Sequence, residues 1–298
     1  MSKRLIGTTR GQRADIGPFN IQRLLANEHA AAVGPFVFLD YALPVEHAPT
    51  ASPQQAQGTG AHPHRGIATL TYLLSGEGLH RDSRGNTTLV RSGGAQWMSA
   101  GNGILYDESI NPDAATRSPV THGLQFWINL PAQQKAQLPE YRSLPASALP
   151  TVALPHSAGW LKVIVGEWDG HASPVPTYSP QFLYHVQLAA GQQLALPTTA
   201  GYEYAAFVLH QSAMIGGIRY EPGELLLLDP TSDAPLVLSA APGSAADFIV
   251  FGGAPYTEPI VAQGPFVMNT RQEIIQAYHD FYQGLYGTID YSQVPALD

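Results

Sequence analysis

Short apolar runs that stop at turn signals constrain the fold of this chain more than any other feature of its sequence. Between residues 67 and 130, segments with strand-like alternation, among them TLTYLLSG, TTLV, AQWM and HGLQFWIN, are separated by breaks rich in glycine, aspartate and asparagine. DSRGN, residues 82–86, lies between two such runs and predicts a β-hairpin. Strands this short and this closely spaced predict an all-β sandwich or barrel.

The same rhythm returns after a proline-rich passage. Residues 138–159 carry no sustained hydrophobic period and are typical of a connection between domains. Beyond them, WLKVIVGEW, FLYHVQL, YAAFVLH and FIVFGG again have the character of strands. We therefore expect an N-terminal barrel over residues 1–137, a linker over 138–159, and a C-terminal barrel with a closing helix over 160–298.

A single helix is predicted near the end of the chain. Thr270 and Glu273 form the S/T-x-x-E pattern of a capping box, and Gly284 and Gly287 supply a stop. Between these signals apolar residues recur at helical spacing: Ile274, Ile275, Tyr278, Phe281, Tyr282 and Leu285. We expect this stripe to pack the helix on a barrel, and a partner-binding face is the alternative.

The composition excludes several kinds of chemistry. The 298 residues contain no cysteine, so a metal would have to be held by histidine, carboxylate or tyrosine. A net charge of −8 without any basic run argues against direct nucleic-acid binding. The opening MSKRLIG lacks the apolar core of a signal peptide, and LLLL at residues 225–228 is too short to cross a membrane. We expect a cytoplasmic protein.

The stretch GAHPHRG, residues 60–66, places two histidines two residues apart. If Pro63 keeps this stretch extended, His62 and His64 project from the same face and could bind one metal ion. GNGILYDES offers a second such pair, Tyr106 and Glu108, about forty residues later. A barrel could aim all four side chains at one interior point. The alternative to a metal site is that both histidines are loop residues held by hydrogen bonds. For an H-x-H motif without other signals, this alternative is the better interpretation.

Several motifs together resemble the pirin family of the cupin superfamily. They are HPHRG, TLTYLLSGEGLHRDSRGN, GAQWMSAGNGILYDE, FWINLPAQQK and GPFVMNTRQEIIQAYHDFYQGLYG, with FVFLDY nearer the start. The resemblance covers nearly the whole chain. It implies two tandem cupin β-barrels, a bicupin, closed by a C-terminal helix, and it implies a monomer.

The resemblance also implies a metal site in the N-terminal barrel, usually iron held by three histidines and a glutamate. His62, His64 and Glu108 match three of these ligands, and Tyr106 stands where the third histidine belongs. For Tyr106 to bind as phenolate at pH 7.5, about 3 kcal/mol must come from the metal, because the unperturbed pKa of tyrosine is about 10. Such a centre favours Fe³⁺; the alternative is that no metal binds.

Other positions near the expected pocket also depart from the family pattern or are candidates for its lining. Ile67 and Ala68 replace an aromatic residue and a carboxylate, and Gly94 replaces an aspartate. Strand positions predict four further lining residues, for which structural roles are the alternative: His80, Trp97, Met98 and Phe126.

Three functions are compatible with these residues. The resemblance implies a metal-dependent quercetin 2,3-dioxygenase, an oxygenase acting on flavonols, in which Glu108 is the general base. It also implies a binding or regulatory protein with a degenerate metal site and a protein partner. The third is a metal-free pocket for a small aromatic ligand. The combined replacements at Tyr106, Ala68 and Gly94 favour binding over efficient catalysis, while enzyme activity stays open.

Overall fold

The computed structural model describes residues 2–16, 19–47, 58–113, 115–116 and 118–297. Strands dominate this part of the chain, and the predicted all-β class with two cupin domains and a C-terminal helix is confirmed.

The first half of the chain contributes twelve strands in order: β1 (Leu5–Thr9), β2 (Gln12–Ile16), β3 (Phe19–Leu25), β4 (Phe36–Glu46), β5 (His62–His64), β6 (Ile67–Ser75), β7 (Glu77–Asp82), β8 (Thr87–Arg91), β9 (Ala95–Ser99), β10 (Ile104–Asn111), β11 (Val120–Asn129) and β12 (Glu140–Leu144). A short helix, α1 (Ala132–Lys135), lies between the last two.

The second half contributes the remaining strands: β13 (Thr151–Ala153), β14 (Gly159–Val165), β15 (Glu167–Trp168), β16 (His171–Ala172), β17 (Gln181–Leu188), β18 (Gln193–Leu196), β19 (Glu203–Val208), β20 (Ala213–Ile215), β21 (Ile218–Tyr220), β22 (Leu225–Leu228), β23 (Leu236–Ser239), β24 (Ala246–Gly253), β25 (Val261–Gln263), β26 (Phe266–Met268) and β27 (Ala296–Leu297). Helix α2 (Arg271–Tyr282) precedes the last of these. Two 3₁₀ turns cover Ala146–Ala148 and Pro155–Ser157.

The chain forms two compact units that differ from the predicted domains. One, called here the apolar unit, comprises Met1–Gln12, Leu24–Phe36 and Leu149–Tyr256. The other, called here the site unit, comprises Arg13–Arg23, Val37–Ala148 and Thr257–Asp298. Each unit therefore contains segments from both halves of the sequence, which a division at residues 138–159 does not describe.

The site unit contains two large sheets. One has seven strands in the order β12-β9-β6-β11-β4-β3-β2, and the other has five in the order β27-β8-β7-β10-β5. The hairpin expected around DSRGN is present, since β7 and β8 pair antiparallel from Glu77↔Arg91 to Arg81↔Thr87. The Asp82 carboxylate accepts hydrogen bonds from the backbone N–H groups of Arg84 and Asn86, which closes the turn.

The apolar unit has a sheet of seven strands in the order β1-β22-β19-β24-β17-β14-β13 and one of four in the order β18-β23-β20-β21. One hydrophobic cluster fills its interior and includes Val186, Ala206, Phe248 and Val250.

The predicted linker is largely structured. β12 pairs with β9 and extends a sheet of the site unit, whereas β13 pairs with β14 and extends a sheet of the apolar unit. The prolines of this passage lie outside both strands, at Pro139, Pro145, Pro150 and Pro155. Backbone hydrogen bonds of the two strands are therefore possible despite the proline content.

Helix α2 begins as predicted, with both halves of a capping box. The Thr270 hydroxyl accepts from the Glu273 N–H, and the Glu273 carboxylate accepts from the Thr270 N–H. Ile274 and Ala277 are buried in a cluster with residues of β26. The predicted apolar stripe was too wide, because its members Ile275, Tyr282 and Leu285 are 61%, 76% and 68% exposed. A narrow two-stranded hairpin, β25–β26, covers only part of the helix surface.

Of the helices in the described part of the chain, none is long and apolar enough to cross a membrane.

Candidate functional site

The candidate site lies on one face of the sheet in which β10 pairs with β5 and β7. Tyr106 is the cross-strand partner of His62 on one side and of Asp82 on the other, and Glu108 is the partner of His80. Cross-strand partners share a face, as do residues two apart in a strand. The sequence periodicity therefore predicts the observed gathering of His62, His64, Tyr106 and Glu108.

Backbone carbonyls orient both histidines of β5. Nδ1 of His62 lies 2.7 Å from the Gly60 oxygen, and Nδ1 of His64 lies 3.0 Å from the Pro265 oxygen. Because a carbonyl oxygen only accepts, each Nδ1 carries the hydrogen and each Nε2 keeps its lone pair. His64 Nε2 is buried without a hydrogen-bond partner among the described residues. Burial lowers the pKa of His62 and lowers that of His64 to about 3, so both rings are neutral near pH 7.

Tyr106 occupies the middle of this face. Its ring centroid lies 4.6 Å from that of His62 and 5.3 Å from that of His64. The hydroxyl donates to Glu108 Oε2 at 3.3 Å and accepts from Gln125 Nε2 at 3.1 Å. Burial and the neighbouring Glu108 raise the pKa of Tyr106 well above 10. The phenol is therefore held in its protonated form.

Glu108 is buried and only partly satisfied. Its Oε2 accepts a 2.8 Å hydrogen bond from Gln125 Nε2 in addition to the one from Tyr106. Its Oε1 has no hydrogen-bond partner within the described residues. Burial raises the pKa of this carboxyl, as expected for a charge removed from water.

As folded, these donors do not fit the four-ligand centre that the resemblance implies. Within the residues that the structure describes, no three His, Asp or Glu side chains lie close enough together to hold one ion. The Tyr106 ring contacts the histidines and its hydroxyl donates to Glu108, so a protonated phenol occupies the position of the fourth ligand. Among the four predicted ligands, only His62 and His64 are oriented as metal ligands usually are, with Nδ1 donating to a backbone carbonyl and Nε2 free to bind.

A small cavity of about 50 Å³ lies beside Glu108. Its polar lining includes Glu108, Gln125, Thr71 and Asp40. The rest is mainly apolar: Ile16, Phe19, Ile21, Ala42, Ile110 and Leu124, with Thr59 and Gly123. Neither His62 nor His64 nor Tyr106 is among the described residues that line it. The cavity therefore reaches the carboxylate of the predicted site and not its imidazoles.

Asp40 contributes a second carboxylate to the lining of this cavity, and Arg23 forms a salt bridge with it. Arg23 donates from Nε to Asp40 Oδ1 and from Nη2 to Oδ2, both at 3.0 Å. The guanidinium also lies 4.6 Å from the Phe38 ring centroid, and Phe38 stacks on Trp127 at 4.2 Å. Arg23 thus balances the charge of Asp40, whereas Glu108 Oε1 has no hydrogen-bond partner among the described residues.

Three of the predicted lining residues lie on the other face of their sheet. Leu70 is the cross-strand partner of both Trp97 and Phe126, whereas Thr71 is the partner of Gln125. Successive residues of a strand point to opposite faces, so Trp97 and Phe126 face away from Gln125. Ala68, two residues before Leu70, shares their face. Both faces of these strands are largely buried, so the burial of a residue does not show whether it faces the cavity.

The other three predicted lining residues are buried near the site but do not line the cavity. Met98 lies in a cluster with Tyr106. His80 stacks on Tyr141 with ring centroids 4.1 Å apart, and its Nε2 donates to Asp82 at 2.9 Å. Ile67 is fully buried.

Gln125 and Trp127, which flank Phe126, also belong to the site and were not predicted from the sequence. Gln125 donates to Glu108, Tyr106 and Thr71, and the Trp127 ring lies 4.9 Å from that of His64. The polar residue at 125 in the otherwise apolar run LQFWI was a signal for the correct face.

Comparisons with known proteins agree with the motifs. The sequence profile of the Pirin family matches residues 18–128, and that of the Pirin C-terminal cupin domain matches residues 183–287. A putative quercetin 2,3-dioxygenase of Pseudomonas aeruginosa is 38% identical over 252 residues, covering 85% of this chain and 86% of the relative.

Solved structures show the same similarity. A crystal structure of quercetin 2,3-dioxygenase from Acinetobacter baumannii superposes with a TM-score of 0.88 at 32% identity, covering 97% of this chain and all of that one. A bacterial pirin from Escherichia coli, solved in complex with nickel(II), shares the fold with a TM-score of 0.62 at 21% identity over 83% of this chain and 96% of its own. Sequence motifs, family profiles and fold thus agree, and the chain belongs to the pirin family.

Proposed function

We propose that this protein binds a small, mostly apolar molecule that carries a hydroxyl group, such as a hydroxylated aromatic, in the cavity beside Glu108. Binding, rather than oxygenation, is its main function in this proposal. The observation that carries the proposal is that the cavity is lined by Glu108 and Gln125 but by neither histidine.

The cavity supports recognition of such a molecule. Largely apolar walls with a few convergent polar groups are typical of small-molecule sites, and the volume of about 50 Å³ admits the hydroxyl-bearing end of a ligand. Glu108 Oε1 lacks a partner, and a buried acceptor left unpaired costs about 1–3 kcal/mol. A ligand hydroxyl that donates to Oε1 removes this cost. Gln125 holds the other carboxylate oxygen, so the acceptor is already oriented before the ligand arrives.

The position of Tyr106 argues against efficient metal chemistry on such a ligand. Its ring lies against both imidazoles, and its hydroxyl is bonded to Glu108 and Gln125. The imidazoles contact the ring of Tyr106, whereas the two residues bonded to its hydroxyl line the cavity. A regulatory protein that responds to the bound molecule requires no more than this arrangement.

A metal-dependent oxygenase of the quercetinase type is the second candidate. Its support is the metal-like orientation of His62 and His64, together with the names of the relatives from P. aeruginosa and A. baumannii. In this alternative Glu108 accepts the proton of the flavonol hydroxyl, and its raised pKa suits a general base.

Metal analysis and aerobic turnover separate the two candidates. The purified protein is analysed for bound metal and incubated in air with quercetin, with and without added iron. The binding proposal predicts substoichiometric metal and no turnover above the protein-free rate. One metal per chain together with multiple turnovers would establish the oxygenase instead.

A pair of adjacent acid-to-amide variants tests the role of Glu108. Glu108→Gln replaces one carboxylate oxygen by an amide group, so quercetin should bind about tenfold more weakly in anaerobic titrations. Asp107→Asn, one residue away and on the opposite face of the strand, is the matched control and should bind normally. Flavone, which has the same rings without hydroxyl groups, should bind equally weakly to the wild-type protein and to Glu108→Gln. Equal quercetin affinities for both variants would contradict the role of Glu108.

A further inference from the structure

A second, open cavity of about 300 Å³ lies in the site unit, away from the residues that line the Glu108 cavity. It is lined by parts of the β7–β8 and β9–β10 turns and by the end of helix α2 with the residues that follow it: Arg65, Ser83, Arg84, Asn102, Gly103, Asp280, Leu285, Tyr286 and Gly287. Two arginines and one aspartate give this lining a net charge of +1, in a chain whose net charge is −8.

Arg65 has hydrogen-bond donors to spare in this cavity. Its Nη1 donates to Asp280 Oδ2 at 2.6 Å and to the Tyr286 hydroxyl at 3.5 Å. Its Nε is buried without a hydrogen-bond partner among the described residues. The pairing with Asp280 therefore uses one corner of the guanidinium. Nη2 forms no hydrogen bond within the described residues and is the donor that Arg65 offers to an oxyanion, since Nε is fully buried.

Arg84 brings a second cation that is exposed and unpaired. Its backbone N–H donates to Asp82 Oδ1 at 2.9 Å, which fixes the turn that carries it. Within the described residues its guanidinium forms no salt bridge, and the half-buried Asn102 adds an amide whose side chain makes no hydrogen bond there. Three polar groups with free donors thus line one cavity.

We propose that this cavity is a binding site for a small organic oxyanion, a phosphate monoester or a carboxylate. Arg65 and Arg84 contact the anionic group and Asn102 donates a further hydrogen bond. The volume exceeds what an inorganic ion fills, and Leu285 offers an apolar contact for the organic part. The site is independent of the Glu108 cavity, with which it shares no lining residue.

The test uses the full-length protein and three probes that share a phenyl ring. Phenyl phosphate and benzoate carry the two oxyanions, and phenol is the uncharged control. Calorimetric titration at low salt should give saturable binding of at least one anion and none of phenol. Added salt should weaken the binding, since it screens exposed charges.

Two charge-removing variants test whether the anion binds in this cavity, and a third variant should increase its affinity. Arg84→Gln should weaken binding about fivefold or more, whereas Arg13→Gln, an equal change of charge at an exposed position of β2, should leave the affinity within about twofold. Asp280→Asn removes the anion that competes for Arg65 and should strengthen binding. Failure of both anions to saturate, or an equal effect of Arg84→Gln and Arg13→Gln, overturns the proposal. Saturation by one anion alone identifies the oxyanion.

Discussion

The interiors of the apolar unit and the site unit can be compared strand by strand. In the apolar unit, Ala206 and Val208 of β19 face Val250 and Phe248 of β24, and all four belong to one hydrophobic cluster. These four side chains are apolar, so close packing rather than hydrogen bonding stabilises this part of the interior.

The corresponding pairs of the site unit are polar or mixed. Thr71 and Thr69 of β6 face Gln125 and Trp127 of β11. Gln125 then connects Thr71, Tyr106 and Glu108 through its side-chain amide. The same antiparallel pairing supports both interiors, but the polar one depends on a hydrogen-bonded network. Within the described residues this network leaves Glu108 Oε1 without a hydrogen-bond partner, and a ligand can donate a hydrogen bond to that atom.

The largest expected effect comes from breaking the packing of the apolar unit. Phe248→Ala deletes a fully buried ring and should lower the free energy of unfolding by about 3–5 kcal/mol in urea denaturation. Tyr106→Phe in the site unit removes only a hydroxyl and should cost about 1 kcal/mol. If the two variants lost equal stability, the contrast between a packed interior and a hydrogen-bonded interior would be wrong.

The next effect concerns metal affinity. Tyr106→His supplies the imidazole that the family pattern expects and removes the protonated phenol from between the histidines and Glu108. The affinity for Fe²⁺, measured by anaerobic competition with a chelator, should rise about tenfold or more. Tyr106→Phe is the control, since it removes the hydroxyl without adding a ligand. An unchanged affinity in Tyr106→His would mean that these four positions do not form a metal centre.

A smaller effect concerns the pH dependence of the free energy of unfolding, to which the polar interior of the site unit contributes through Lys135. Lys135 is buried in the site unit, where its Nζ donates to Asn129 Oδ1 and to the Val267 carbonyl oxygen. Burial lowers its pKa from 10.5 to about 8. Between these values the unfolded chain binds more protons than the folded one, so this residue makes the free energy of unfolding rise with pH.

Lys135→Met removes this contribution. From about pH 8 to about pH 9.5 the gain in stability should be smaller in the variant by about 1–2 kcal/mol, as measured by urea denaturation at both pH values. Parallel stability curves for the two proteins would show that the ammonium is not desolvated in the folded state.

Local sequence patterns predicted the parts of the structure that depend on neighbouring residues. The turn at DSRGN, the capping box of Thr270 and Glu273, and the shared face of the two side-chain pairs all follow from spacings of two to five residues. The exposure of Ile275 and Leu285 did not follow, because the width of the surface that covers a helix is set by distant segments.

The cavity depended on information that local patterns lack. Gln125 meets Glu108 from β11, a strand that is not in the sheet of β10. In β11 both faces are largely buried, and the single polar residue of the run LQFWI, Gln125, was the one local signal for the cavity face. The distribution of residues between the two units was likewise set by pairing over long sequence separations, as between β1 and β22.

The most direct test of the account is the affinity of quercetin for protein freed of metal by a chelator, compared with protein supplied with iron, both without oxygen. Because the proposed ligand cavity meets Glu108 and not the imidazoles, the two dissociation constants should agree within about twofold. Loss of binding in the chelated protein, restored by iron, would contradict the account and identify a metal as the group that holds the ligand.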